Sequence, residues 1–543
     1  MPHSLVVIAG SAVAFSLFAY AYFNGLRSSD GANYAVVARN FSEGRGLTSS
    51  VIQPGLVGVV PTSPAGQASV IQAPLWPLLV AGGFWLAGPR EGVFLLLNGV
   101  LFVVALTQTW RMGRVLTGSV GGAWLAWGLA AFNPFLIGSA IAGTAAMLQA
   151  CLVSAGLLLA ATGTVSGMGA AQVGAILGLA CVTRENSVFV LAAVAIVWAH
   201  RLRGAGYASG RLLARLASLG VIVLTAVALP VAIEAYRKAS VIGRFDAPVL
   251  RLTFLYHTAV ADQGWYFIYD HPMLKINPIG YFASHPRELL EKVWFQLRVP
   301  FAQETLPTLL CFAPWFIPVL SPFHMRAGLP RSFGTGLLAA LGLQVLLGST
   351  SFLNFTYFFA FLPAICACVA ATVSVLQQDL ASGRFTGWRR SVMVAVALYG
   401  AAPLAINATL LALGRRPGTG DYHLSRSDER ALSGFILANT PRSAVLSASH
   451  SALLAWNTRH TIFQYSGHPL YAVQDNPMWR ALDERVRIDY ILLNSLASEG
   501  PDQRLLPGFK EVARLQNGNL RAWLFTRDEM EPNTRLPSPR ATP

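Results

Sequence analysis

"LVVIAGSAVAFSLFAYAYFNGLRSSDGANYAVVARNFSEGRG" occupies residues 5–46 and has two unlike halves. Residues 5–23 are an apolar run of membrane-crossing length, given a helical rise of about 1.5 Å per residue and a hydrocarbon core of about 30 Å. The run lacks a Lys/Arg-rich start and is too long for a signal-peptide core, so it reads as a retained first span. From residue 28 the polarity changes. "SSDGANYAVVARNFSEGRG" brings in Asp30, Arg39 and Glu43, and sets Tyr34, Val37, Ala38 and Phe41 at helical spacing. The expectation is a surface helix just beyond the first span, with Asp30 placed to cap its start.

The apolar half of that stretch recurs along the chain. Of 543 residues, 54% are hydrophobic and 12% charged, with a mean hydropathy of +0.50. A soluble protein carries about a quarter charged residues. The fold class is therefore a polytopic α-helical membrane protein. Further spans are expected near 92–110, 115–135, 144–162, 170–182, 184–199, 211–233, 305–321, 332–349, 354–377 and 391–413. With the first run they make eleven, two of them short, within a range of about 11–13. "APLWPLLVAGGFWLAGP" (73–89) is apolar but too short to cross, with prolines in its first turns, and reads as a half-inserted helix. Gly174 and Gly178 form a small-xxx-small pair suited to helix packing. Cys151, Cys181, Cys311, Cys366 and Cys368 all fall in apolar runs, with no disulfide or zinc spacing, and read as small core residues.

The net charge of +15 becomes a topology signal once the charges are located. With a cytoplasmic N-terminus, the cytoplasmic loops hold Arg111, Arg114, Arg201, Arg203, Arg211, Arg215, Arg326, Arg331, Arg384, Arg389 and Arg390. Against these eleven basic residues stands one acid, Asp379, so these loops carry +10 of the +15. The positive-inside rule asks for this asymmetry, and no excess is left to call for a nucleic-acid partner. The expected location is the inner (cytoplasmic) membrane, with the loops 24–91 and 234–304 and everything after 414 outside the cytoplasm. Residues 1–413 then form the transmembrane domain. Residues 414–530 read as a small extracytoplasmic α/β domain, and the Pro-rich 531–543 as a disordered tail. In the α/β part, helix-like "SRSDERALSGFILANT" precedes strand-like "SAVLSAS" and "RHTIFQYS". Helix-like "PMWRALDERV" precedes "DYILLNS", and "FKEVARLQNGNLRAWLFTR" reads as a hairpin turning at Gln516 to Asn519.

ATP-type donors are scarce outside the cytoplasmic membrane, so a transferase there needs a lipid-carried donor. It also needs a carboxylate to take a proton from an acceptor hydroxyl, and cations for the lipid phosphate. Asp30 suits the first role; Arg184, Lys292 and Arg298, beside expected span ends, suit the second. The frame Asp30, Gly31, Tyr34, Ala38, Arg39, Gly44, Gly46 resembles the first outer loop of the GT-C glycosyltransferases, in particular the bacterial relatives of protein O-mannosyltransferases and of lipid A aminoarabinose transferases. "APLWPLLVAGGFWLAGP" is similar to the Pro-rich helix that follows in that family, and "GLACVTREN" (178–186) to its Gly-Leu-x-x-x-Thr-Arg/Lys segment. The resemblance implies inverting transfer of a hexosyl or pentosyl group from a polyprenyl-phosphate sugar to a lipid, glycan or protein acceptor. It makes Asp30 the base, with Tyr34 and Arg39 as supporting motif residues.

Two positions depart from the family pattern. Many relatives carry an acid after the Asp, where this chain has Gly31. Many also carry one in the second outer loop, where "NPFLIGSAIAGTAAMLQ" (133–149) has none. Either another outer acid (Glu185, Asp246, Asp262 or Glu304) substitutes, or Asp30 works alone, or the chain is a non-catalytic scaffold. Each residue also has a plainer reading: Asp30 as a cap, Arg184 as a partner of Glu185, and Lys292 and Arg298 as the solvated face of "HPRELLEKVWFQLRVPF". The rival class is a secondary transporter or flippase, which would place ionisable residues in mid-span. No cofactor or structural metal is expected, and a weak divalent cation near Asp30 stays open.

Overall fold

The computed structural model describes residues 2–23, 25–26, 28–53, 56–57, 59–243, 254–255, 258, 276–303, 328–350, 355–382, 405–409, 425–464, 486–495 and 508–527. The chain divides into two compact units. One comprises Met1–Tyr34, Ile71–Ala261 and Ile276–Gly420; the other comprises Ala35–Val70, Asp262–Lys275 and Asp421–Pro543.

The first unit is helical. Its elements are α1 (Pro2–Tyr22), the start of α2 (Ser29–Ser42), α3 (Leu75–Ala87), α4 (Glu91–Thr117), α5 (Val120–Ala131), α6 (Pro134–Ile141) and α7 (Ala146–Thr162). They continue with α8 (Gly167–Thr183), α9 (Val190–Gly204), α10 (Ser209–Ile242), α11 (Pro278–Ser284), α12 (Pro286–Gln303), α13 (Leu329–Thr350) and α14 (Leu362–Ala381). Six described helices are long and apolar enough to cross a membrane, or seven if α5 and α6, bent by 55°, form one broken span. Nine of the expected spans fall on described helices. The other two, 305–321 and 391–413, lie outside the described residues except for 405–409. Leu5 and Leu17 on α1, Leu96 on α4, and Leu213 and Leu229 on α10 are exposed. Such faces suit contact with hydrocarbon rather than water. Inside them, α14 forms the middle of the core, with every side chain from Leu362 to Thr372 buried. Cys151, Cys181, Cys366 and Cys368 are free and buried.

Three local features differ from the sequence expectation. The span placed at 115–135 is not continuous. α4 runs on to Thr117, with Arg111 and Arg114 inside its last turns, and stops where Gly118 turns left-handed at φ 68°. Ser119 then caps α5 by accepting from the Gly122 N–H at 2.9 Å. Asn133 caps α6 by accepting from the N–H groups of Phe135 and Leu136, which fixes the bend at Asn133-Pro134. Second, α10 does not end at 233: Glu234, Arg237 and Lys238 pair at i,i+3 and i,i+4 and extend it to Ile242. Third, Ser28 rather than Asp30 caps α2, its hydroxyl accepting from the Gly31 N–H at 3.4 Å. The Gly174/Gly178 pair packs as expected. A Cβ on Gly178 would stand 2.6 Å from Pro230 and one on Gly174 2.7 Å from Ala226, so α8 and α10 touch closely there.

The second unit contains a six-stranded sheet in the order β2-β6-β5-β7-β9-β8. Its strands are β2 (Val51–Ile52), β5 (Val445–Ala448), β6 (Thr461–Gln464), β7 (Tyr490–Ser495), β8 (Phe509–Asn517) and β9 (Leu520–Arg527). A small second sheet holds β1 (Thr48–Ser49), β3 (Thr62–Ser63) and β4 (Gly66–Ala68). Helices α15 (Arg426–Asn439) and α16 (Ser451–Thr458) complete the unit. The hairpin forms where alternation placed it, with Asn517 opposite Leu520 and Gly518-Asn519 as the two loop residues. The segments 477–485 and 531–543 lie outside the described residues. Sequence periodicity did not reveal that β2 joins this sheet, parallel to β6. Two residues are too short to show a period.

Arg39 holds that arrangement. Its guanidinium is buried and donates to the carbonyls of Trp456 at 2.9 Å and Ala455 at 3.1 Å, in the last turn of α16. It also lies 5.4 Å from the centroid of the Trp456 ring. Helix-end carbonyls carry partial negative charge that a cation complements, here beside the Arg459 N–H that already caps the Ala455 carbonyl. Burial pushes Arg39 down to about 10, which leaves it charged at neutral pH. Arg39→Ala is expected to cost about 2 kcal/mol, so proteolysis in 425–464 under native conditions rises about 30-fold. Lys at this position should rescue little, because it lacks the two-pronged donor set. Equal cleavage of Arg39→Ala and the parent chain would count against the clamp.

Candidate functional site

Three short segments of the first unit converge around the start of α2. Because Ser28 takes the cap, Asp30 sits in the first turn with its side chain exposed, and it makes no hydrogen bond or ion pair among the described residues. Beside it, Gly31 packs so tightly on the 133–149 segment that a Cβ would overlap the Ala142 carbonyl oxygen. Gly143 supplies the turn at φ 75°, and its carbonyl accepts from the Trp76 indole N–H at 3.0 Å. Trp76 is buried in the first turn of α3, three residues after Ala73.

Ala73 is among the residues lining a cavity of about 1170 Å³. α10 contributes Leu224, Val227, Ala228, Val231, Glu234, Ala235 and Lys238 to its wall, a stripe at helical spacing. Cys181, Val182, Glu185 and Val188 come from the end of α8 and the turn after it. Phe254, Pro278, Ile279, Phe282 and Leu289 close the far side. The lining is apolar over most of its length and charged at one end. There Lys238 Nζ is 3.3 Å from Glu185 and 3.7 Å from Glu234, while Arg237 grips Glu234 with two bonds of 2.7 and 2.8 Å.

The turn carrying Arg184 and Glu185 is fixed from behind. α8 ends at Thr183, Arg184 is extended, and a 3-10 turn spans Glu185–Phe189. Gln149, fully buried at the end of the 133–149 segment, donates to Asn186 at 2.9 Å and to Ser187 at 2.8 Å. The segment without a carboxylate thus supplies the amide that holds this turn.

Of the residues singled out from sequence, the structure places Arg184 and Glu185 on one turn, with Glu185 on the cavity wall. Asp30 is not among the lining residues of that cavity. Lys292 is buried behind the wall, donating to the Phe254 carbonyl at 2.5 Å, and burial pushes its ammonium down to about 7. The side chains of Arg298 and Glu304 lie outside the described residues. Tyr34 is buried in α2, and Arg39 belongs to the clamp on α16. Sequence reasoning passed over Glu234, Lys238 and Gln149. The signal for the first two was the i,i+4 charge spacing in "EAYRK", directly after an apolar run. Among the described residues no three His, Cys, Asp or Glu side chains cluster to hold a metal ion.

No family model and no curated protein sequence matches the chain. Solved structures do. An Archaeoglobus fulgidus oligosaccharyltransferase, in complex with Zn and sulfate, has a TM-score of 0.53 at 14% identity, covering 90% of this chain and 67% of its own. ArnT from Cupriavidus metallidurans, bound to undecaprenyl phosphate, has a TM-score of 0.54 at 14% identity, covering 96% of this chain and 97% of its own. The fold is GT-C. The GT-C likeness to ArnT runs through nearly all of both chains, the sheet-bearing part included. The A. fulgidus enzyme is also known tethered with an acceptor peptide, at TM-score 0.52 and 13% identity, covering 90% of this chain and 69% of its own. The resemblance drawn from the Asp30 frame and the fold of the chain therefore agree.

Proposed function

We propose that this chain is an inverting glycosyltransferase of the inner membrane. It would move a hexosyl or pentosyl unit from a polyprenyl phosphate to a lipid, glycan or protein acceptor on the extracytoplasmic face. The observation that carries this reading is the two-part cavity, an apolar trough along α10 that ends in Glu185, Glu234 and Lys238. An amphiphile with one long tail and a small anionic head fits that division, and a GT-C neighbour is bound to such a lipid. In the reaction, Asp30 takes the proton of the acceptor hydroxyl as its oxygen attacks the anomeric carbon. The bond from that carbon to the phosphate oxygen breaks, and polyprenyl phosphate leaves with the electron pair. Lys238 at the charged end of the cavity, and Arg184 on the turn that carries Glu185, hold the departing phosphate.

A transporter reading has less support. In the described spans, Asp, Glu, Lys and Arg gather toward helix ends, as with Arg201 and Arg203 in α9 and Asp379 in α14, rather than at mid-span. The full chain in vesicles, given a radiolabelled polyprenyl-phosphate sugar and a membrane extract as acceptor source, should move label from the lipid to an acceptor. Donor left intact with every acceptor fraction would remove the enzymatic reading and leave the scaffold.

A further inference from the structure

We infer that Lys238 is the seat of the donor's phosphate and that Glu185 fills that seat until the donor arrives. This rests on the lipid-donor reading above and adds the group that holds the donor and the group it displaces. Charge pairing carries the argument. Glu234 is one-tenth exposed and gripped twice by Arg237, so its charge is already matched. Among the described residues, the nearest carboxylate to Lys238 is then Glu185 at 3.3 Å, with the already paired Glu234 at 3.7 Å.

The two carboxylates are held very differently. Glu234 shares a helix with both of its cations. Glu185 comes from a 3-10 turn after another helix, and its side chain is 76% exposed while that of Lys238 is 24% exposed. An exposed pair of this kind is weak, because water and salt screen it. The donor's phosphodiester carries one charge and the polyprenyl phosphate left after transfer up to two, and both make charge-assisted hydrogen bonds to the same ammonium, the monoester the stronger ones. When Glu185 swings away, Arg237, Lys238 and Glu234 leave a net charge of one positive at the head of the trough. Ala235, Val231, Ala228 and Val227 continue from Lys238 along the same face of α10, so a single isoprenoid tail has a path directly from the head. That path commits the site to a polyprenyl phosphate rather than to free phosphate or a two-chained phospholipid. Lys292 is a poorer seat, being enclosed and already donating to the Phe254 carbonyl.

The test reads binding only, so it is independent of whether any sugar is transferred. Undecaprenyl phosphate is titrated onto the purified full-length protein in nanodiscs, with bound lipid counted by native mass spectrometry. Lys238→Ala should weaken binding about tenfold, and Lys238→Arg should restore most of it. Glu185→Gln should tighten binding about threefold, since the competing anion is gone, and a gain of affinity cannot come from misfolding. In the double variant the Glu185→Gln gain should vanish. Equal affinity of the parent chain and Lys238→Ala overturns the seat, and weaker binding by Glu185→Gln overturns the exchange. Inorganic phosphate and phosphatidylglycerol should compete poorly. Competition by either at the level of the polyprenyl lipid overturns the single-tail assignment. Should transfer fail in vesicles while these shifts appear, the seat stands and only the catalytic reading falls.

Discussion

Asp30→Asn is expected to lower sugar transfer by roughly 10²- to 10⁴-fold, the span general-base catalysis supplies, with the thermal midpoint unchanged. Asn at this position separates the two readings of the residue. As a helix cap, Asn serves about as well as Asp, so a capping role predicts no loss of rate and no loss of stability. As a base, the amide cannot take the acceptor's proton, and the rate collapses. The structure already assigns the cap to Ser28, whose hydroxyl accepts from the Gly31 N–H, and leaves the Asp30 carboxylate exposed. An exposed substitution with no partner among the described residues should move stability by no more than about 0.5 kcal/mol. Ser28→Ala is the converse, costing about 1 kcal/mol of stability with the rate retained. Transfer by Asp30→Asn at the parent rate would end the assignment of Asp30 as base.

How far such chemistry could be read beforehand varied with the kind of signal. Spans were legible because membrane-length apolar runs are long-range and redundant. Residues 5–23 and 332–349 need no partner to be recognised, and α1 and α13 follow them closely. The hairpin at 509–527 was legible because alternation and a Gly-Asn turn coincide. Helix ends were harder. The 115–135 run hides its break because α4, α5 and α6 are all apolar, and only Gly118, Asn133 and Pro134 mark the joints. Arg39 belongs to the Asp30 frame by sequence, yet its contacts are carbonyls more than 400 positions away, in α16. No local pattern announces a contact with backbone.

The candidate site shows the same division. Asp30 and the Arg184 turn are local motifs and could be found. Lys238 was passed over because hydropathy ended the span at 233, and a charged residue in an assumed loop has no special claim. Its role depends on sharing a cavity wall with Glu185, more than fifty residues earlier. Gln149 is similar. A glutamine at the end of an apolar loop reads as nothing until Asn186 and Ser187 are brought to it. Lys292 shows the reverse case, for its place on an amphipathic helix suggested an accessible cation, whereas tertiary packing encloses it.

Gly31→Ala is expected to reduce transfer about 100-fold and to cost about 3 kcal/mol, although it adds one methyl group. The obstacle is backbone. A Cβ at position 31 would overlap the Ala142 carbonyl oxygen, and no rotamer change can move a carbonyl aside. The loop cannot retreat easily either. Gly143 holds a left-handed φ of 75°, and a Cβ there would stand 2.5 Å from Leu26; its own carbonyl is tied to Trp76. Relief must therefore come from a shift of the first turn of α2, which carries Asp30. The contact gives the first of the two departures from the family pattern, Gly31, a steric cause. Where α2 and the 142–143 turn meet this closely, an acid at 31 has no room. Gly31→Glu should fail more severely than Gly31→Ala, whereas Ser29→Ala, exposed on the same turn, should leave both rate and stability alone. Full transfer by Gly31→Ala would show that the contact is loose and that Gly31 does not position Asp30.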